Sequence, residues 1–257
     1  MQLREAAEAL GVHYQTAYAW VRDGTLPARK YEREYDISAA DVQALLAKRG
    51  LGRIPVRQIA VRDWPAQAAR LYSAIIDGRE TQARREIGRL AGHVTGTDLC
   101  DSVIAPALRQ IGDGWAAGRI SIAREHRATA ICERLIAVSA GQPAGRPRGV
   151  AVVATPPGER HGMPALMAAT CLRENRWLVH HLAADLPLTE ISLLARQVDA
   201  SLVVLSTATT ASQPRAEDAE RLIKAASPGI DVLIGRSGDT LRDLERLVGS
   251  RTQRGQA

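Results

Sequence analysis

Glu159 and His161 stand two residues apart in a loop and are suited to binding a metal ion. A carboxylate that accepts one ring N–H of an imidazole fixes its tautomer and raises the basicity of the other nitrogen. The pair follows an apolar run, residues 150–154, typical of a strand buried on both faces, and precedes a helical stretch, 164–175. We therefore expect His161 in the crevice at the carboxyl end of a strand, where open α/β sheets bind ligands. The Glu-x-His spacing alone also fits an ordinary surface loop.

Three further residues nearer the middle of the chain have side chains that could contact a ligand. Trp115 lies among glycines and alanines, where a large flat ring has room to reach outward. Glu125 and His126 follow ten residues later, near the start of a predicted helix. Each also has a structural interpretation, because tryptophan is common in cores and a carboxylate is favourable in the first turn of a helix.

The first fifth of the chain has the pattern of a winged helix-turn-helix. Helices are predicted over 3–10 and 14–22, a β-hairpin over 29–37, and a third helix over 39–48 that Ser38 caps. The second helix can enter a major groove, and the hairpin can contact phosphates. The candidate DNA-binding residues are Gln15, Thr16, Tyr18 and Arg22 on the helix and Arg29, Lys30 and Arg33 in the wing. A small helical protein-interaction module is the alternative interpretation of this segment.

Composition is compatible with these interpretations and sets their limits. The chain has 257 residues and a net charge of +6, which is compatible with nucleic-acid binding without requiring it. Three scattered cysteines without CxxC spacing, and no signal peptide, predict reduced thiols and a cytoplasmic location. No apolar run approaches the length of a membrane span, so no membrane association is expected.

Two more domains are predicted after the DNA-binding domain at 1–50. Four amphipathic helices joined by short loops over 63–140 predict a four-helix bundle. Strands and helices alternate over 149–248, which predicts a doubly wound, Rossmann-like parallel sheet. The polar tail from Gly249 is expected to be disordered. The fold class is thus multidomain, combining α and α/β structure.

The amino-terminal segment resembles the winged helix-turn-helix of the MerR and excisionase group. The likeness is carried by Ala6-Ala7, Leu10-Gly11-Val12, Thr16, Trp20-Val21-Arg22-Asp23-Gly24 and Leu26-Pro27-Ala28. This resemblance implies sequence-specific binding of operator DNA by a homo-oligomer on repeated sites.

The remainder of the chain resembles the light-sensing, cobalamin-dependent transcriptional repressors of the CarH type. Trp115-x9-Glu125-His126 is similar to the bundle motif of that family, and Glu159-x-His161 to its cobalamin-binding signature. The resemblance implies adenosylcobalamin as cofactor, with His161 as the lower ligand of cobalt and Glu159 orienting it. Trp115 would cover the corrin and Glu125 and His126 would border the adenosyl group. The displaced base of the cofactor would lie beside Ser206, Thr207 and Gly235.

The same resemblance implies a repressor without enzymatic turnover. A dimer or tetramer would occupy the operator in the dark and dissociate when light removes the adenosyl group. A corrinoid carrier of a methyltransferase system is one alternative, and a family regulator with a lost or exchanged cofactor is another.

This sequence departs from the family pattern at Pro164, at Arg236 and at Ala116. Ala116 replaces a histidine that can bind cobalt after illumination in light-sensing members, so His126 or His93 would have to substitute, or no residue does.

Overall fold

The computed structural model describes residues 2–10, 12, 14–31, 34–48, 63–91, 94–139 and 146–254. The chain separates into two compact units, Met1–Asp63 and Trp64–Ala257.

The first unit is the predicted winged helix-turn-helix. Its elements are α1 (Leu3–Ala9), α2 (Tyr14–Arg22), β1 (Arg29–Tyr31), β2 (Glu34–Asp36) and α3 (Ala39–Lys48). The two strands pair antiparallel as a hairpin. Ser38 caps α3 as predicted, because its hydroxyl accepts the backbone N–H of Asp41 at 3.0 Å. The helices enclose a small core of buried apolar residues, which includes Leu3, Leu10, Ala17, Leu26, Ile37, Val42 and Leu45.

The second unit begins with the predicted four-helix bundle. Its helices are α4 (Trp64–Ile76), α5 (Glu80–Ala91), a third helix in three parts, and α8 (Ile122–Ser139). The third helix consists of α6 (Gly96–Leu99), a π-helical turn (Cys100–Ile104) and α7 (Ala105–Ala116). Apolar residues at helical spacing fill the bundle core, among them Leu71, Ile75, Ile87, Ile104, Ile111, Ile131 and Leu135.

The second unit continues as an alternation of strands and helices. The elements are β3 (Val150–Ala154), α9 (Gly162–Glu174), β4 (Leu178–His181), α10 (Leu188–Gln197), β5 (Leu202–Ser206), α11 (Gln213–Ala226), β6 (Asp231–Gly235) and α12 (Leu241–Arg254). The four strands are parallel in the order β4-β3-β5-β6. Helices α9 and α12 pack on one face, and α10 and α11 on the other. The doubly wound sheet is therefore confirmed, with its switch point between β3 and β5.

Two boundaries differ from the prediction. Helix α9 begins at Gly162, directly after His161, rather than at Pro164. Proline is tolerated there because the first N–H groups of a helix have no intrahelical partner. Helix α12 continues to Arg254, so the expectation of a disordered tail from Gly249 is wrong for residues 249–254. A helix that is already packed elongates at little cost through residues of good helix propensity such as arginine and glutamine.

Helix α9 belongs to the cores of both the bundle and the sheet. Met163 and Met167 pack into the bundle core, while Ala165, Ala169 and Leu172 pack against the sheet. The helix that starts at His161 is thus fixed on two sides by buried apolar contacts.

Carboxylates join the bundle to the sheet at two helix N-termini. Glu174, at the end of α9, accepts the N–H of Gly96 at 2.6 Å and that of Thr97 at 3.1 Å. Asp101, in the π-helical turn, accepts the N–H of Leu241 at 3.0 Å and that of Arg242 at 3.1 Å. Both carboxylates satisfy N–H groups that a helix leaves unpaired in its first turn.

Candidate functional site

The loop of residues 155–161 connects β3 to α9 and carries Glu159 and His161. Oε1 of Glu159 lies 2.6 Å from Nδ1 of His161 and also accepts the backbone N–H of His161 at 3.0 Å. The imidazole side chain is 64% exposed, whereas the carboxylate is only 1% exposed. Because an ionised carboxylate can only accept, Nδ1 of His161 donates in this hydrogen bond, and Nε2 takes no part in it. Glu159 therefore contacts both the ring and the backbone of His161, and its role in orienting a metal ligand stays a prediction.

The second carboxylate oxygen of Glu159 is held by the loop that follows β5. Oε2 accepts the N–H groups of Ala208 at 2.9 Å and Thr209 at 3.1 Å, and the hydroxyl of Ser212 at 2.7 Å. Burial by itself raises the pKa of Glu159, but hydrogen bonds from His161, Ser212 and Ala208 outweigh burial and lower this pKa to about 2. Glu159 is therefore a buried anion that presents a single histidine at the switch point of the sheet.

Ala208, Thr209 and Ser212 are site residues that sequence reasoning missed. Their stretch, Ser206 to Ser212, consists only of serine, threonine and alanine, and this run of hydroxyl groups after a predicted strand is a signal that could have found them. Ser212 belongs to a short 3-10 turn, Thr210–Ser212, at the start of α11.

The residues predicted to lie beside the displaced base, here called the slot residues, are Ser206, Thr207 and Gly235. They lie together at the carboxyl ends of β5 and β6. Ser206 and Thr207 are buried, and Ser206 is in register with Gly235. The carbonyl of Gly235 accepts the backbone N–H of Thr207 at 2.8 Å and its hydroxyl at 2.9 Å. A Cβ placed on Gly235 would meet only the carbonyl oxygen of Leu205, at 3.9 Å. The absent side chain therefore leaves space beside these two strand ends.

The corner between α7 and α8 holds the three candidate residues of the bundle. Trp115 is 51% exposed, and His126 contacts the carboxylate of Glu125 through Nδ1. The corner turns tightly because the carbonyl of Gly114 accepts the N–H groups of Arg119 and Ile120. Across the described residues of the second unit, no hydrogen bond or ion pair links this corner to the 155–161 loop. Its part in a common site with His161 remains a prediction, and His93 lies outside the described residues.

The candidate DNA-binding residues of α2 are exposed. Gln15, Thr16, Tyr18 and Arg22 all reach solvent, while Ala17 on the opposite side is buried in the core. The ring of Tyr18 stacks on Tyr14 with centroids 6.5 Å apart, and meets Tyr35 of the hairpin edge-on at 5.9 Å. The contact between Tyr18 and Tyr35 joins the second helix to the wing. Arg29 and Lys30 lie in β1, and Arg33 lies outside the described residues.

The donor set fits a metal ion that already has ligands of its own. The described part of the chain contains no group of three or more His, Cys, Asp or Glu residues that could hold a bare ion. One exposed imidazole can add a single bond to an ion that a macrocycle already holds, and a Cβ on Gly235 would have room beside the strand ends.

The three cysteines are not candidate metal ligands at this site, because Cys100, Cys132 and Cys171 are buried free thiols. Burial raises the pKa of each to about 12. Among the helices described, none combines the length and apolarity that a bilayer span requires.

Two family models match the chain. A helix-turn-helix domain matches residues 1–50, and a B12 binding domain matches residues 67–139, the bundle that carries Trp115, Glu125 and His126. In fold, the chain is similar to the monomethylamine corrinoid protein of Methanosarcina barkeri, with a TM-score of 0.53 and 16% identity over 68% of this chain and 86% of that chain.

Two curated relatives are transcriptional repressors of Myxococcus xanthus. The chain is 31% identical to the HTH-type repressor CarH over 137 residues, which are 52% of this chain and 46% of CarH. It therefore matches about half the length of that relative. It is 28% identical to the HTH-type repressor CarA over 261 aligned residues, which cover 93% of this chain and 87% of CarA. The chain is therefore similar to these CarH-type transcriptional repressors, and it combines a helix-turn-helix domain with a B12-binding domain.

Proposed function

We propose that this protein is a repressor that uses adenosylcobalamin as a light-sensing chromophore and binds operator DNA as a homo-oligomer. The observation that carries the proposal is the Glu159–His161 pair, an exposed imidazole backed by a buried, ionised carboxylate at the switch point of a parallel sheet. When bound, the cofactor supplies a light-sensitive cobalt–carbon bond.

His161 is the lower ligand of cobalt in this proposal, and it binds through Nε2. Glu159 keeps Nδ1 protonated, so that His161 is held ready for the metal in one orientation. Ser206, Thr207 and Gly235 receive the displaced base in the space at the ends of β5 and β6.

The bundle supplies the upper side of the cofactor site. Trp115 presents a flat, half-exposed ring that would cover the corrin, and Glu125 and His126 offer polar atoms to the adenosyl group. Ala116 has no side chain that could bind cobalt, so the illuminated state does not depend on a histidine at that position.

The cofactor controls DNA binding through the assembly state. A ligand shifts an equilibrium only by its differential affinity for the two states, so adenosylcobalamin must favour the oligomer, a dimer or a tetramer, over the dissociated form. Helix α2 and the β1–β2 hairpin of each copy then engage repeated operator sites. This role involves no catalytic turnover. A winged helix-turn-helix would have no use in a corrinoid carrier of a methyltransferase system, which argues against that alternative.

Size-exclusion chromatography with absorbance detection tests the proposal. The full chain is loaded with adenosylcobalamin and run in the dark and after green illumination. We expect the cobalt chromophore to co-elute and the apparent size to fall on illumination. Co-elution with no change in size would overturn light switching, and failure to co-elute would overturn cobalamin binding.

Two variants make the same experiment specific for the ligand assignment. His161→Ala is expected to change the spectrum of the bound cofactor and to weaken its retention. Arg196→Ala is the control, because Arg196 is exposed on α10 and lies outside the 155–161 loop. A His161→Ala variant with the spectrum and affinity of the unmodified protein would remove the ligand assignment.

A further inference from the structure

The 155–161 loop is also held on its other side, by the loop that follows β4. Asp185 accepts the backbone N–H of Gly158 through Oδ1 at 2.7 Å. The N–H of Asp185 donates to the hydroxyl of Thr155 at 2.8 Å, and that hydroxyl donates to the carbonyl of Glu159 at 2.7 Å. One residue of the β4–α10 loop is therefore connected both to the turn at Gly158 and to the backbone of Glu159.

The backbone around Asp185 is held in an unfavourable conformation. Asp185 has a φ of 60° and Ala183 a φ of 59°, in the left-handed region that non-glycine residues seldom adopt. The loop also runs close to the start of α9, since a Cβ on Gly162 would lie 3.5 Å from that of Ala184. Unfavourable backbone of this kind persists only where surrounding contacts enforce it, and it concentrates at functional sites.

The 155–161 loop is thus hydrogen-bonded to the loops that follow both neighbouring strands, β4 and β5. Ala208, Thr209 and Ser212, after β5, hold the Glu159 side chain, and Asp185, after β4, holds the backbone of the same loop. Glu159 sets the tautomer and ring orientation of His161. The position of the backbone from which His161 projects is set separately, through Gly158 and Thr155.

We propose that Asp185 is a positioning residue for His161, which fixes the height of the imidazole above the sheet so that it can displace the cofactor's own base from cobalt. This inference rests on the proposed function. It predicts that, without a side-chain acceptor for the Gly158 N–H at position 185, the fold is kept, but bound cobalamin changes from histidine coordination to other lower ligation.

Electron paramagnetic resonance of bound cob(II)alamin measures that change. The full chain is labelled uniformly with nitrogen-15 and loaded with unlabelled cob(II)alamin. A histidine ligand then splits the cobalt lines into doublets, and the cofactor's own nitrogen-14 base splits them into triplets. The splitting reports the lower ligand directly, independently of any DNA-binding activity.

Asp185→Gly is the informative variant, because glycine keeps the left-handed backbone accessible and removes the side-chain acceptor. We expect loss of the doublet and a fall in cobalamin affinity of about tenfold to a hundredfold, as for other groups that orient a metal ligand. Asp185→Asn retains an oxygen that accepts from Gly158 and tolerates the same backbone, and it should restore the doublet. Asp199→Gly is the matched control, since Asp199 also has a positive φ, of 49°, but lies before β5, at the opposite end of the strands.

The outcomes separate the two proposals. A triplet in the unmodified protein would overturn histidine ligation and with it the proposed cofactor site. A doublet in the unmodified protein that persists in Asp185→Gly, with unchanged affinity, would overturn the role of Asp185 alone. If Asp185→Gly fails to fold, hydrogen exchange of the Gly158 amide in the Asp185→Ser apoprotein decides: faster local exchange supports the role, and unchanged exchange overturns it.

Discussion

Oε1 of Glu174 lies 2.6 Å from the backbone nitrogen of Gly96, so the last residue of α9 caps the first residue of α6. A Cβ on Gly96 would lie 2.6 Å from the same oxygen, which shows how closely the two helix ends approach. The contact joins segments 78 residues apart in the chain. It is one of the polar connections between the bundle and the sheet.

Removal of this cap should destabilise the second unit without affecting the winged helix-turn-helix. We expect Glu174→Ala to lower the free energy of unfolding by about 1–2 kcal/mol, because two N–H groups lose their acceptor. Urea denaturation followed by circular dichroism measures the difference. Glu133→Ala, at an exposed position of α8, serves as the control and should change stability by less than about 0.5 kcal/mol. Equal effects of the two substitutions would contradict the capping role.

The ionised state of Glu159 should make folding stability depend on pH in the acidic range. Its pKa is lowered to about 2 in the folded protein, from an ordinary value of 4.5. A depressed pKa contributes stability that is complete above the unfolded value and is lost as the pH falls toward the folded value. The contribution is about 3 kcal/mol at neutral pH, and more than half of it should be lost by pH 3. Urea midpoints of the unmodified protein and Glu159→Gln between pH 7 and pH 3 should converge as the pH falls; parallel curves would refute the argument.

Two glycines of α7 should respond to alanine in opposite directions. A Cβ on Gly114 would lie 2.4 Å from Cδ1 of the buried Ile120, whereas a Cβ on Gly112 meets nothing within 4 Å. We therefore expect Gly114→Ala to cost about 1–3 kcal/mol through overpacking, and Gly112→Ala to stabilise by up to about 1 kcal/mol through helix propensity. Thermal denaturation of both variants tests this. If both substitutions destabilise the protein, the close approach of Ile120 to Gly114 is not the reason that position 114 requires glycine.

Gly235 should matter for cobalamin binding and not for folding. An alanine there has space in the apoprotein, since its Cβ would lie 3.9 Å from the nearest atom, but it would intrude into the proposed slot. Gly235→Ala should leave the melting temperature nearly unchanged and weaken cobalamin binding by about tenfold or more. Gly229→Ala, in the α11–β6 turn, has equal space and should leave both properties unchanged. Normal cobalamin affinity in Gly235→Ala would argue against the slot.

Arg22 and Gln15 should have different roles at the DNA. We expect Arg22 to contact phosphate, so Arg22→Ala should weaken binding to a mixed-sequence duplex and reduce the slope of log affinity against log salt by about 1. We expect Gln15 to contact base edges, so Gln15→Ala should leave that nonspecific binding unchanged. Fluorescence anisotropy at several salt concentrations makes the measurement. An unchanged slope in Arg22→Ala would exclude its phosphate contact.

Sequence patterns predicted the elements much better than the contacts between them. The bounds of α2 and β5 follow from local periodicity, which a short window of sequence contains. The hydrogen bond from Ser212 to Glu159 joins residues 53 positions apart in the chain, and no local sequence pattern specifies such a pair. The acid-x-His loop could be located, because it directly follows a strand, but its support by Asp185 required the neighbouring strand to be placed first.

The same reasoning explains the smaller errors at helix ends. The start of α9 was placed at a proline, although proline is accommodated within a first turn. The extension of α12 past Gly249 depends on the part of that helix that packs under the sheet, where Val248 is buried. The first error concerns the local chemistry of a helix start, and the second arose where packing supports a helix beyond a glycine.

Because α9 contributes Met163 and Met167 to the bundle core and Leu172 to the sheet, the two layers are not interchangeable modules. If the sheet were grafted without the bundle, Met163 and Met167 of α9 would lose their buried contacts and be exposed to solvent. To transplant the proposed cofactor site into another regulator, a protein engineer must therefore move the residues from α4 through α12 together. Only the winged helix-turn-helix can be exchanged.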